Sequence, residues 1–431
     1  MFRFILIASA VLYFCAAYAH DEIPGAPQKK PVALINARIY TISHGIIENG
    51  SIVFDAGKIT VVGRSVTIPA GAEVIDCKGK YVYPGFIAPI TSLGLTELEA
   101  VRATRDISEV GLFNPNAKSA VAYNPDSELI PTVRSNGTLI ANIVPADGVI
   151  SGTGGLMALD GWTREDMAVK MKSCLLVNFP WQSVYTVPYS QKSADEQRKD
   201  NEKAVRVLYD YFTQAKAYSE AVRAGLVVNA KDIRFEAMRS VFEEKFPVLI
   251  AAGEFRQIIG ALEFARSFGL NASIVGAHDA WRCFDEIKAA GVSVIVGRTH
   301  SVPFRDEDGY DAIYTLPAAL SANGIRFAFS DDGSWQQRNL PFEAGSAIAF
   351  GLSEENAVRA LTLAPAEIFG VADRLGSLEA GKDATLFVSS GNALDGRSNK
   401  VELAYIQGRI VSLNSKQTEL AEKYRTRFQQ R

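Results

Sequence analysis

"PVLIAAGEFRQIIGALEFARSFGLNASIVGAH", residues 247–278, sets out the plan of the chain's middle. A short apolar run, Pro247 to Ala252, leads into an amphipathic stretch that stops at Gly269. A second apolar run then ends at His278. The order recurs in "DAWRCFDEIKAAG" (279–291), "VSVIVGRTH" (292–300), "AIYTLPAALSANG" (312–324), "IRFAFSDD" (325–332) and "LPFEAGSAIAFGL" (340–352). Gly269, Gly291 and Gly324 stand where helices need a left-handed closing residue. Four successive strand–helix units predict parallel strands joined by right-handed crossovers. The expected fold class is α/β, a (β/α)8 TIM-like barrel, with an open doubly wound sheet as the alternative. In a barrel the chemistry gathers at the C-terminal strand ends, here Ala251, His278, His300 and the pair Asp331–Asp332.

Outward from this core the texture changes. "VALINARIYT", "GSIVFDAGKITVVG" and "AEVIDCKGKYVYP" alternate apolar and polar residues between Gly and Asn, the pattern of short hairpins. "GSLEAGKDATLFVSS" and "VELAYIQGRIVSL" repeat it near the C-terminus. The two ends are therefore expected to form one composite small β domain from residues 32–83 and 374–414, with the barrel at 84–373 inserted between them. Residues 20–31 read as a Pro-rich linker and 415–431 as a C-terminal helix or tail. The Gly-, Pro- and Asn-rich stretch 101–166 predicts long loops over the barrel mouth, separated by the strand "TLIANIVP". Residues 191–225 predict a charged surface helix.

The 431 residues are enough for a large core, and 48% apolar with 22% charged residues is ordinary for a soluble globular chain. A formal charge of -3 gives no footing for nucleic acid or an anionic membrane. "MFRFILIASAVLYFCAAYAH" carries Arg3, a short apolar run and Ala17-Tyr18-Ala19, which reads as a signal peptide cut after Ala19. The expected mature chain is exported, periplasmic or secreted, without a membrane span. It retains Cys77, Cys174 and Cys283, too few and too scattered for a disulfide framework.

With "YVYPGFI", "LTELEAVRATRD", "YNPDSELIPTVRSNG", "ISGTGGLMALDGW", "RNLPFEAGSAIAFGL" and "ALTLAPAEIFGVADRLGSLEAGKDATLFV", nearly the whole mature chain resembles the amidohydrolase superfamily. The nearest likeness is to the secreted imidazolonepropionase-like branch. The resemblance implies a metal-dependent-hydrolase type of barrel and hydrolysis of non-peptide C–N bonds in a cyclic amide, imide or small peptide-like substrate. In active relatives "PGFI" precedes Asp-x-His-x-His; the matching positions here are Ala88, Ile90 and Ser92. A ligand histidine that ends the fifth strand corresponds to Ala251. The sixth-strand histidine corresponds to His278, and the eighth-strand aspartate to Asp332, with Asp331 as the rival alignment.

Zinc sites take about four ligands, about three of them from protein in catalytic centres. Hydrocarbon at 90 and 251 offers no donor atom, so the ordinary two-cation centre is not expected. One zinc or other divalent ion at His278 and Asp332, or none, are the occupancies left open. Asp332 and His278 are the expected catalytic pair, attacking the carbonyl through activated water. A pseudoenzyme that binds a small ligand or a partner protein without turnover is the rival. His300, Arg305 and Arg338 are candidates for holding substrate, the arginines by a bidentate grip on a carboxylate. Ion pairs with Asp306 to Asp308 or with Glu343 are the alternative use of those arginines. A homo-oligomer or a separate partner subunit stays open.

Overall fold

The computed structural model describes residues 23–185, 192–226, 231–331 and 333–430. The expected signal segment 1–19 and Asp332 lie outside the described residues.

Five strands open the described chain: β1 (Val32–Tyr40), β2 (Ile46–Asp55), β3 (Lys58–Gly63), β4 (Glu73–Asp76) and β5 (Tyr81–Pro84). Ten occupy the middle: β6 (Phe86–Thr91), β7 (Thr138–Ile143), β8 (Ile150–Thr153), β9 (Gly155–Ala158), β10 (Ala168–Lys170), β11 (Leu175–Asn178), β12 (Pro247–Ala252), β13 (Asn271–Gly276), β14 (Ser293–Val296) and β15 (Phe327–Phe329). Three close it: β16 (Leu386–Ser389), β17 (Val401–Ile406) and β18 (Arg409–Ile410).

Strands from both ends share one sheet in the order β18-β17-β16-β5-β1-β2-β3, with β4 also on β1. The join is β5 against β16, antiparallel, with Tyr83 opposite Phe387. Aromatic packing ties the sheet together and to the barrel: within the sheet Tyr83 stacks on Tyr40 at 4.4 Å, and across the boundary Phe387 meets Phe86 of β6 edge-on at 4.9 Å. Such pairs add about 0.5–1.5 kcal/mol each beyond their buried area. The Tyr40 hydroxyl also donates to Glu354 at 2.8 Å, across the same boundary.

The middle forms the expected barrel. β11 to β15 run parallel in sequence order, β6 and β7 pair in parallel, and β15 lies against β6. These strands are buried nearly end to end, as parallel strands covered on both faces must be. The helix Phe255–Phe268 ends on Gly269 at φ +64°, and Phe284–Ala290 on Gly291 at φ +64°. Gly324, at φ +69°, follows the cap residue Asn323.

The stretch 101–166 corrects its sequence reading. Beside β7, Ile150–Thr153 and Gly155–Ala158 are buried strands in the barrel wall, not loops. β8 pairs antiparallel with β11 and β9 antiparallel with β7, so the chain crosses from one sheet to the other at Gly154. The glycines that suggest a loop serve packing instead. A Cβ on Gly154 would meet Cys174 Sγ at 2.8 Å, and one on Gly155 would meet the Ala120 methyl at 2.6 Å.

The long helix Ala194–Arg223 starts with a capping box at Ser193 and Glu196 and buries little beyond Leu208, Phe212 and Ala215. Cys77, Cys174 and Cys283 are free and buried, and burial pushes the Cys77 thiol up to about 11 and the Cys283 thiol to about 12. No helix among the described residues is long and apolar enough to cross a membrane.

Candidate active site

A cavity of about 630 Å³ opens at the C-terminal strand ends. Its walls are mostly hydrocarbon: Ile90 from β6, Ala251 and Ala252 from β12, Val275 from β13 and Val296 from β14. Trp181 and Phe304 stand on its rim loops, while Asn178, Gln257, His278, Arg298 and Ser330 bring polar groups to it.

His278 is presented by a sharp turn. Gly276 and Ala277 both have positive φ, +90° and +48°. For alanine that conformation costs about 1–2 kcal/mol. Ala277 N–H to Ala252 O at 3.0 Å and Asp279 N–H to Gly253 O at 3.0 Å hold it. The imidazole stacks under Phe304, centroids 3.9 Å apart, and presses on Gly253, where a Cβ would lie 2.5 Å from the ring. Burial lowers its pKa below the usual 6.5, so the ring is neutral at pH 7.

The neighbouring charges are spent on one another. Arg305 grips buried Asp279 with both Nη atoms, Nη1 to Oδ2 at 3.1 Å, and reaches Asp308 through Nε at 3.2 Å. Burial pushes the Asp279 carboxyl up, but the Arg305 grip and the Phe255 N–H prevail and hold it below the usual range. Arg305 is thus committed to this ion-pair group, the alternative use foreseen for it, with Asp279 an added partner. Arg298, an arginine that the sequence reading passes over, lines the cavity and places Nε 3.1 Å from Oδ1 of fully buried Asp331. Arg338 lies over the Trp335 ring at 3.6 Å, with burial lowering its pKa. Glu343 belongs instead to His300, whose Nδ1 lies 3.1 Å from Oε1. His300 itself sits beyond β14, outside the cavity lining.

The end of β6 is tied to the segment around the two aspartates. Thr91 Oγ1 donates to Gly333 O at 2.7 Å, and the Gln337 amide donates to Ile90 O at 3.1 Å and to Asp331 O. At the positions that the resemblance assigns to metal ligands, the described side chains bring little donor chemistry. Ile90 and Ala251 present carbon to the cavity, Ser92 after β6 carries only a hydroxyl, and the cationic Arg298 lines the same cavity. Among the described residues no group of three or more His, Cys, Asp and Glu side chains is placed to hold a metal ion. Among the described residues the donor set does not fit a two-cation centre.

The profile of the amidohydrolase family matches residues 261–411. The imidazolonepropionase of Mesorhizobium japonicum is 25% identical over 382 residues, covering 82% of this chain and 90% of that protein. That of Thermoplasma acidophilum is 23% identical, covering 85% and 88%. The crystal structure of an amidohydrolase from Thermotoga maritima superposes with a TM-score of 0.76 at 25% identity, over 88% of this chain and 99% of that one. These findings support the amidohydrolase superfamily, in its imidazolonepropionase-like branch, and group the chain with hydrolases. Members of the family usually bind a divalent metal, which makes the changed donor set the main departure of this chain.

Proposed function

We propose that the barrel-mouth cavity binds a compact cyclic amide, imide or small peptide-like compound and does so without the two-cation centre of its relatives. The supporting observation is the lining: an apolar chamber of about 630 Å³ on which Asn178, His278, Arg298 and Ser330 converge. That volume and mixture are those of a small-molecule site. In this reading Arg298, whose Nε faces Asp331, offers the rest of its guanidinium to a carbonyl or carboxylate oxygen, and Trp181 and Phe304 offer flat faces to a ring. Titration calorimetry with hydantoins, lactams and dipeptides tests the reading. Saturable binding that is unchanged by chelator and at least ten-fold weaker in Arg298→Met supports it; binding that chelator abolishes refutes it.

A second reading, hydrolysis of a C–N bond in the same ligand, is favoured by the neutral imidazole of His278 at the cavity edge. Asp332 would take the proton of the attacking water, with His278 as the second catalytic group. Asp332→Asn then removes turnover of any compound the panel identifies while leaving its binding intact. Turnover that survives this substitution excludes Asp332 as the base.

A further inference from the structure

We propose that Ser346, His300 and Glu343 form a second, metal-independent nucleophilic site that accepts activated acyl esters. Ser346 Oγ lies 2.6 Å from His300 Nε2, and Nδ1 of the same ring lies 3.1 Å from Glu343 Oε1. The carboxylate is fully buried, and its Oε2 accepts from two donors, His300 N–H at 2.7 Å and Thr299 Oγ1; the same hydroxyl also lies 3.1 Å from the Glu343 backbone carbonyl. Nucleophile, base and orienting acid thus stand in the order that acyl transfer requires. Glu343 and Ser346 are three residues apart on the helix Leu340–Ala349, so one helix face presents both to the His300 loop. Ser346 opens onto a groove of about 440 Å³ lined by Phe342, Ile348, Asn392 and Leu394, which shares no lining residue with the barrel-mouth cavity.

The step balances without a further reactant. Ser346 Oγ bonds to the ester carbonyl carbon while its proton passes to His300 Nε2. The C–O bond to the leaving group breaks, and that proton goes to the departing oxygen. Water then repeats the sequence on the acyl-serine and releases a carboxylic acid. Ser346 lies inside a helix, whose backbone N–H groups bond to the preceding turn rather than to a developing oxyanion. This restricts the site to good leaving groups such as aryl esters, and makes deacylation slow.

The test uses the full-length protein with p-nitrophenyl acetate and, separately, a fluorophosphonate probe, followed by peptide mass mapping. One acyl or phosphonyl group per chain at Ser346, preceded by a burst of nitrophenolate of about one equivalent, is expected. Ser346→Ala abolishes both, and His300→Gln slows labelling about 100-fold, the usual weight of a general base. The rate in the wild type should rise with pH as His300 loses its proton, in the field of Glu343, Asp331 and Arg298. Glu343→Gln, which keeps the shape, should move that midpoint downward, a shift that a merely structural glutamate would not produce. Labelling spread over other serines, or equally fast in Ser346→Ala or His300→Gln, overturns the proposal.

Discussion

The barrel mouth has two halves built on opposite chemistry. The ends of β6 and β12, where the resemblance implies metal-binding histidines, present Ile90 and Ala251 and form an apolar wall. The ends of β13 to β15 present Asp279, Arg298 and Asp331, buried or partly buried, with each carboxylate facing an arginine. A cation centre needs surplus negative charge and open donors. Among the described residues, hydrocarbon lines the first half, and in the second the Asp279 and Asp331 carboxylates are already paired with arginines. What remains between them is a chamber suited to a small organic molecule.

The sharpest test of the charged half is its packing. Gly345 stands between Glu343 and Ser346, and a Cβ there would fall 1.9 Å from the Leu394 carbonyl oxygen. Backbone cannot give way as a flexible side chain can, so Gly345→Ala should cost about 3 kcal/mol in urea unfolding. A loss under 1 kcal/mol would show that this helix is not seated as described. Next in size is Arg298→Met, which leaves the buried Asp331 carboxylate without its arginine. Removing one partner of a fully buried pair costs about 3–5 kcal/mol. With Arg298 itself 39% exposed, about 2 kcal/mol is expected.

The apolar half should answer differently. Ala251→Leu grows into open cavity rather than packed core, so stability should change by less than about 1 kcal/mol. Affinity for any ligand found in the panel should fall at least ten-fold. Unchanged affinity would move the binding site elsewhere.

The smallest effect contrasts the two histidines by pH. His300, raised by its contact with Glu343, adds stability that is complete below its unfolded value near 6.5 and is lost as pH rises through the folded value. His278, lowered by burial, acts in the opposite sense: stability is lost as pH falls from 6.5 through its folded value. Thermal melting from pH 5 to 8 should peak near 6.5. His300→Gln should flatten the alkaline limb and His278→Phe the acid limb. A single variant that flattens both would show that the rings are coupled.

The four strand–helix units between 247 and 349 are legible because each signal is local: an apolar run, a small residue, an amphipathic turn pattern and a closing glycine. β8 and β9 are not legible, because Gly152, Gly154 and Gly155 are required by neighbours such as Ala117, Cys174 and Ala120. Glycine chosen for close approach looks like glycine chosen for a turn. At the site, the loss of donors at 90 and 251 follows from the resemblance, and Asp279 and Arg298 do not. Both depend on partners 26 to 33 residues away that only the barrel brings together. The one signal for the Ser346 arrangement is the three-residue spacing from Glu343 on a helix. Its histidine comes from the loop after β14, a full strand–helix unit earlier, so the sequence holds no contiguous motif.

Metal content measured on the purified, dialysed protein tests the central claim most directly. The hydrocarbon at Ile90 and Ala251 predicts well below one zinc, manganese, iron or nickel ion per chain, with ligand binding unaffected by chelator. Two tightly held divalent cations per chain, lost together with ligand binding on chelation, would contradict it.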